Sequence, residues 1–135
     1  VSARRKARKR ALDFLYEAEI KGVDPQLLLE SRPPTELSEG QYSQTLVAGV
    51  LAHKSKIDEI IVMYAEGWDM DRMPAIDRNI LRIAIYEILW ESTLDDKIAV
   101  DEAISIAEEI STKESSSYIN GVLGRIVTLK PVLVI

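Results

Sequence analysis

Apolar residues recur every three or four positions along most of the chain, the spacing that lays a stripe down one side of an α-helix. Ala7, Ala11, Leu12, Phe14, Leu15 and Ala18 form the first stripe, and neither proline nor glycine interrupts it before Gly22. The spacing predicts a helix over roughly residues 3–21, with Gly22 as its C-terminal stop. Asp24-Pro25 then offers an N-cap and a proline at the first helical position, predicting a short helix over 24–30 that Arg32-Pro33-Pro34 interrupts. Ser38 and Gln41 stand at capping-box spacing before the stripe Leu46, Val47, Val50 and Leu51. Ile57, Ile60, Ile61 and Tyr64 continue at helical spacing after Ala52-His53-Lys54, where a kink is expected, and Gly67 closes the segment.

Met73-Pro74 opens the next helix, and from Ile76 to Trp90 apolar residues occur on most sides, which places that helix at the centre of a bundle. After a loop at Ser92–Asp96, residues 98–110 put Val100, Ala103, Ile104, Ala107 and Ile110 on one face. Glu102, Ser105, Glu108 and Glu109 fall on the face expected in water. Ser111 and Glu114 repeat the capping-box spacing ahead of Ile119, Val122, Leu123, Ile126 and Val127, and Pro131 ends the run. Asn120-Gly121 conflicts with this pattern, since it is a turn signal, and Gly121 and Gly124 each cost about 1 kcal/mol in a helix interior. A hairpin using 126–128 and 132–135 is one reading. A continuous helix whose glycines allow close helix contact is the preferred one. No strand–helix alternation occurs elsewhere, so the predicted fold is all-α, with about seven helices and a single domain over 1–135.

Charge changes this picture at one end. The chain carries a net −5, yet residues 1–10 hold Arg4, Arg5, Lys6, Arg8, Lys9 and Arg10 and no acid, leaving −11 on the remaining 125 residues. Cations at a helix N-terminus oppose the helix dipole, at a few tenths of a kcal/mol each, so local stability does not account for six of them. An acidic body with one basic arm suits docking of a polyanion at one place. A solvated tail is the plainer alternative. There is no cysteine, which removes disulfides, thiolate metal sites and cysteine nucleophiles and fits a reducing cytoplasm. No apolar run approaches the ~20 residues of a membrane span. The basic start leads into Asp13, Glu17, Glu19 and Lys21 rather than the apolar stretch of a signal peptide.

Catalytic chemistry has little to work with. His53 is the only histidine, so no histidine pair can hold a metal, and its plain reading is a surface or satisfied ring. Asp58-Glu59, Asp95-Asp96 and Glu108-Glu109 are sequence neighbours that diverge by about 100° on a helix and read as solvated faces. Gly121 and Gly124 have neither a preceding strand nor a following Lys-Ser/Thr and do not form a phosphate loop. The expectation is a protein that is not an enzyme and uses no cofactor or metal. Binding of RNA is better supported: arginine-rich segments contact phosphate, and unstacked bases need aromatic rings to lie on. Arg5, Lys9 and Tyr16 share one side of the first helix, while Tyr64 and Tyr118, near element ends, are further platforms. Half-buried structural rings are the competing reading for both.

Three blocks together resemble the NusB family: Ala3 to Tyr16 (ARRKARKRALDFLY), Asp77 to Leu89 (DRNILRIAIYEIL), and Val100 to Glu109 (VDEAISIAEE) leading to Ser116–Gly124 (SSYINGVLG). The resemblance spans essentially the whole chain. It implies two packed helical subdomains, with Asn120-Gly121 inside the last helix. It also implies transcription antitermination in the bacterial cytoplasm, through binding of the single-stranded boxA element of ribosomal-RNA leader transcripts together with the ribosomal protein NusE, within the RNA polymerase antitermination complex. By the same resemblance Arg4, Arg5, Lys6 and Arg8 contact phosphates and bases, and Tyr16, Tyr64, Arg82, Glu114 and Tyr118 lie at or near the RNA surface. Trp68, Asp77 and Arg78 belong to the NusE-contacting face. Some family members self-associate through partner surfaces, which makes a homodimer a further expectation. Two rivals remain: a domain of the same fold attached to a ribosomal-RNA cytosine methyltransferase, and a helical module that binds only protein.

Overall fold

The computed structural model describes residues 3–31 and 41–135. Among these, seven α-helices follow one another: α1 (Ala3–Lys21), α2 (Pro25–Ser31), α3 (Gln41–Ala52), α4 (Lys54–Tyr64), α5 (Ala75–Trp90), α6 (Asp96–Ile110) and α7 (Lys113–Leu129). Single 3-10 turns occur at Met70–Arg72 and Lys130–Val132, and no strand is present among the described residues. The all-α expectation holds. Gly22 and Gly67 end their segments with φ of 66° and 79°, the left-handed region where a side chain would be strained. Asp24 caps α2, its carboxylate accepting the Gln26 N–H at 2.9 Å. Arg32-Pro33-Pro34 and the Ser38 half of the expected capping box lie outside the described residues.

α5 is the central element. Ile80, Leu81, Ile83, Ala84, Ile85, Tyr86 and Ile88 are all buried, and α1, α3, α4, α6 and α7 all pack on it. α1 lies against α3 and α5, and α6 lies against α5 and α7, so the two helical halves share one continuous core. The expected kink falls at His53, which has non-helical backbone angles (φ −111°, ψ 13°) between α3 and α4. Its ring stacks on Trp90 with centroids 4.0 Å apart, fixing the elbow against the end of α5.

Three local expectations need correction. On α6 the buried set is Ala99, Ala103, Ile106 and Ala107, while Ile110 is exposed; the inward face is rotated because α6 is wedged between α5 and α7. Rotation also turns Glu102 toward α1 instead of into water. The cap of α7 is Thr112 rather than Ser111: its hydroxyl accepts the Ser115 N–H at 3.0 Å, and the Ser111 hydroxyl is committed to Asp77. α7 runs unbroken through Asn120-Gly121, as the helical reading expected, but Gly121 and Gly124 face open space and allow no close helix contact. The close approach is at Gly49 on α3, where the Tyr86 ring occupies the place of a β-carbon.

This contrast predicts opposite signs for the same substitution. Gly49→Ala must displace the buried Tyr86 ring and is expected to destabilise by about 1–3 kcal/mol. Gly121→Ala meets nothing and is expected to stabilise by about 0.5–1 kcal/mol through helix propensity. Urea unfolding midpoints compare the two, and a Gly49→Ala midpoint at or above the wild-type value would contradict the packing described.

Candidate nucleic-acid interface

The basic arm is about the first two turns of α1, and its orientation follows from one buried cation. Arg8 lies on the inward face with Ala7 and Ala11 and is 3% exposed. Its guanidinium grips Glu87 of α5 with Nε at 3.0 Å from Oε1 and Nη2 at 2.8 Å from Oε2, while Nη1 reaches Glu102 of α6 at 3.1 Å. Burial by itself would lower the pKa of Arg8, but the hydrogen bonds and charge of Glu87, reinforced by Glu102, hold it above its ordinary value. Glu87 is 1% exposed and also accepts the Tyr42 hydroxyl from α3. Burial and this bond to a carboxylate push the Tyr42 hydroxyl well above the usual phenol range.

Neighbouring cations divide between the protein and the solvent. Arg5 forks onto Glu102, whose pKa is lowered chiefly by that hydrogen bond, and Lys9 meets Glu109 at 2.6 Å. Arg4, Lys6 and Arg10 are exposed, and the Arg4 guanidinium sits over the Tyr42 ring, 4.2 Å from its centroid. Arg8, expected among the phosphate contacts, is therefore an internal anchor: its three nitrogens are all engaged by buried or half-buried carboxylates.

A second charged network holds the other half of α1. Arg82, 7% exposed, binds Asp58 of α4 through Nε at 2.9 Å and Nη2 at 3.2 Å, and its Nη1 reaches Glu19 at 3.2 Å and Asn79 at 3.0 Å. Arg78 also pairs with Glu19 and donates to the carbonyls of Met70 and Met73 at 2.7 and 2.9 Å. Burial would raise the pKa of Glu19, but hydrogen bonds and charge from Arg78 and Arg82 keep it below the usual range. Arg82 thus ties α1 and α4 to α5, and Arg78 likewise donates to acceptors within the protein.

The third group lies at the start of α5. Trp68 and Tyr118 meet edge to face with centroids 4.6 Å apart, bringing an expected partner residue against an expected RNA residue. The Tyr118 hydroxyl donates to the Glu66 carbonyl at 3.1 Å, the Glu66 carboxylate pairs with Arg125 at 3.1 Å, and Arg125 lies 5.9 Å from the Tyr64 ring centroid. Asp77, expected on the partner face, is fully buried and accepts hydroxyl hydrogen bonds from Ser111 and Ser115, each at 2.7 Å. It locks the α6–α7 corner onto the first turn of α5. Glu114 is exposed in the first turn of α7, and Tyr16 is 36% exposed on α1.

The expected site residues are held at two places along α5. The arm meets α5 at Glu87, whereas the corner carrying Tyr118 meets it at Asp77, ten residues or about 15 Å along the helix. Tyr42, Glu87, Glu102 and Arg125 were not anticipated. A lone carboxylate at Glu87 within the run 83–90 was a legible sign of a buried counterion. Among the described residues no group of acidic and histidine side chains is arranged to hold a metal, and no helix is long and apolar enough to cross a membrane.

Fold and site define an all-helical protein whose buried ion pairs hold an exposed cationic edge. A profile of the NusB family matches residues 5–128. The transcription antitermination protein NusB of Beutenbergia cavernae is 46% identical over 98% of this chain and 94% of its own length. A solved structure of T. maritima NusB superposes with a TM-score of 0.79 at 29% identity, covering 95% of this chain and 92% of the other. A further structure, of antitermination factors NusB and NusE in complex with dsRNA, contributes a chain with TM-score 0.78 at 22% identity, covering 93% and 96%. The chain belongs to the NusB family of transcription antitermination factors, which are not enzymes.

Two stability outcomes follow from the networks. Glu87→Ala leaves the Arg8 charge buried without its main partner and is expected to cost about 3–5 kcal/mol, read from urea unfolding. An effect below about 1 kcal/mol would mean that water reaches Arg8. Glu19 and Glu102 hold their protons more weakly folded than unfolded, so their contribution is complete above the ordinary value of 4.5 and is lost as pH falls through their lower folded values. Stability should decline below about pH 4.5, and less steeply in Glu19→Gln. Parallel pH profiles for that variant and the wild type would count against the role of Glu19.

Proposed function

We propose that this protein acts in transcription antitermination in the bacterial cytoplasm by binding the single-stranded boxA element of ribosomal-RNA leader transcripts together with NusE. In this reading the pair enters the RNA polymerase antitermination complex. The carrying observation is the anchored arm: Arg8 is locked into the core while Arg4 and Lys6, on the same rigid turns, remain in solvent. A cationic edge on an otherwise acidic protein attracts a polyanion at one place and repels it elsewhere. The relatives' common name, and the presence of NusE and RNA beside a protein of this fold, point the same way.

Arg4 and Lys6 are proposed as phosphate and base contacts, with Arg5 joining when phosphate displaces Glu102. Tyr16, Tyr64, Tyr118 and Glu114 line the proposed remainder of the RNA path, and Trp68 marks the side nearest NusE. The exposed Tyr16 ring, the partly buried rings of Tyr64 and Tyr118 and the Arg4 guanidinium suit splayed bases rather than a closed duplex, because a duplex hides its base faces.

A titration of Arg4→Ala with Lys6→Ala across salt tests this reading. The slope of log K against log salt is expected to become shallower by about 0.7 per lost phosphate contact. An unchanged slope, or equal affinity for a boxA strand and its duplex, would overturn it. Adding NusE should raise affinity for boxA over a scrambled strand; a purely protein-binding module would show neither RNA response.

A further inference from the structure

Arg4 is exposed, and its guanidinium carbon lies over a ring that is itself held from below. Tyr42 presents its ring to Arg4 at 4.2 Å and donates its hydroxyl to Glu87, which is 1% exposed and gripped by two nitrogens of Arg8. Arg8 also lies 5.7 Å from the Tyr42 ring centroid. The result is a column rising from the core: Arg8 and Glu87 hold the hydroxyl, the hydroxyl holds the ring, and the ring gives a surface guanidinium a fixed neighbour. A lone surface arginine has several rotatable bonds and must lose that freedom when it orders on a ligand. Here the loss is taken before the ligand arrives.

We propose that Tyr42 is a positioning residue for RNA, holding Arg4 flat so that one unstacked base lies on the outer face of its guanidinium. The inference rests on the RNA-binding reading above and adds a specific role to it. Guanidinium planes accept bases much as aromatic rings do, and a ring–guanidinium–base sandwich keeps the Nη donors at the edge, directed to phosphate or to a base edge. The ring contributes no charge. Its contribution is to base stacking, separable from the electrostatic attraction that Arg4 and Lys6 share.

That separation supplies the test. Wild type, Tyr42→Leu, Tyr42→Phe and Arg4→Lys are titrated with a boxA-type single strand, and with strands made abasic at one position at a time, over a range of salt. Tyr42→Leu is expected to weaken binding about tenfold with an unchanged salt slope. Tyr42→Phe, which keeps the ring but not its bond to Glu87, should recover part of that loss. Arg4→Lys keeps the charge but not the plane, so it should keep the slope and lose the same base dependence. At one position the abasic strand should therefore bind wild type more weakly and Arg4→Lys equally well. Arg4 is exposed, so this arm stands even if Tyr42→Leu fails to fold. Wild-type affinity in Tyr42→Leu, or an abasic penalty in Arg4→Lys equal to that of the wild type, overturns the positioning role while RNA binding stands. No binding by the wild type would remove both.

Discussion

A guanidinium carried into the interior at Arg8 has to find its counterions there, and Glu87 and Glu102 supply them. Because a buried charge without a partner is so costly, this contact leaves α1 little freedom. Its register against α5 and α6 is set, and the side on which its remaining cations emerge is set with it. Tyr42 joins the same carboxylate from α3, so three other helices converge on the second turn of the first. Arg82 does the corresponding work toward the other end of α1, drawing in Asp58 from α4. The two clamps make the cationic edge a fixed surface.

Elements were legible in the sequence wherever the apolar pattern allowed one reading only. α1 was read to the residue because Gly22 and an unbroken run of helix formers bound it, and α5 because apolar residues on most sides leave only a central position. The inward face of α6 was misjudged because Ile104, Ile106 and Ile110 allow more than one stripe, and packing between two helices decided the rotation. Gly121 and Gly124 suggest a contact they do not make, whereas the close approach is at Gly49, inside a stripe whose apolar residues are complete without it.

Site residues were less legible, for a physical reason. An arginine's type does not show whether its charge is satisfied inside or outside the molecule. Arg4 and Arg8 are four residues apart on one helix, one in solvent and the other buried. The resemblance placed Arg82, Asp77 and Arg78 at binding surfaces; the structure gives each to an internal acceptor or donor. Only the partners distinguish these cases, and they come from other helices.

Those partners lie far downstream. Arg8 precedes Glu87 by 79 residues and Glu102 by 94, and Lys9 precedes Glu109 by 100. A ribosome adds about 5–20 residues per second, so the N-terminal cations of a growing chain exist for several seconds before the carboxylates that will neutralise them are made. The nascent arm is then a polycation without these counterions, emerging beside a ribosome built largely of RNA, and α1 cannot take its final seat until the chain has grown past Glu102.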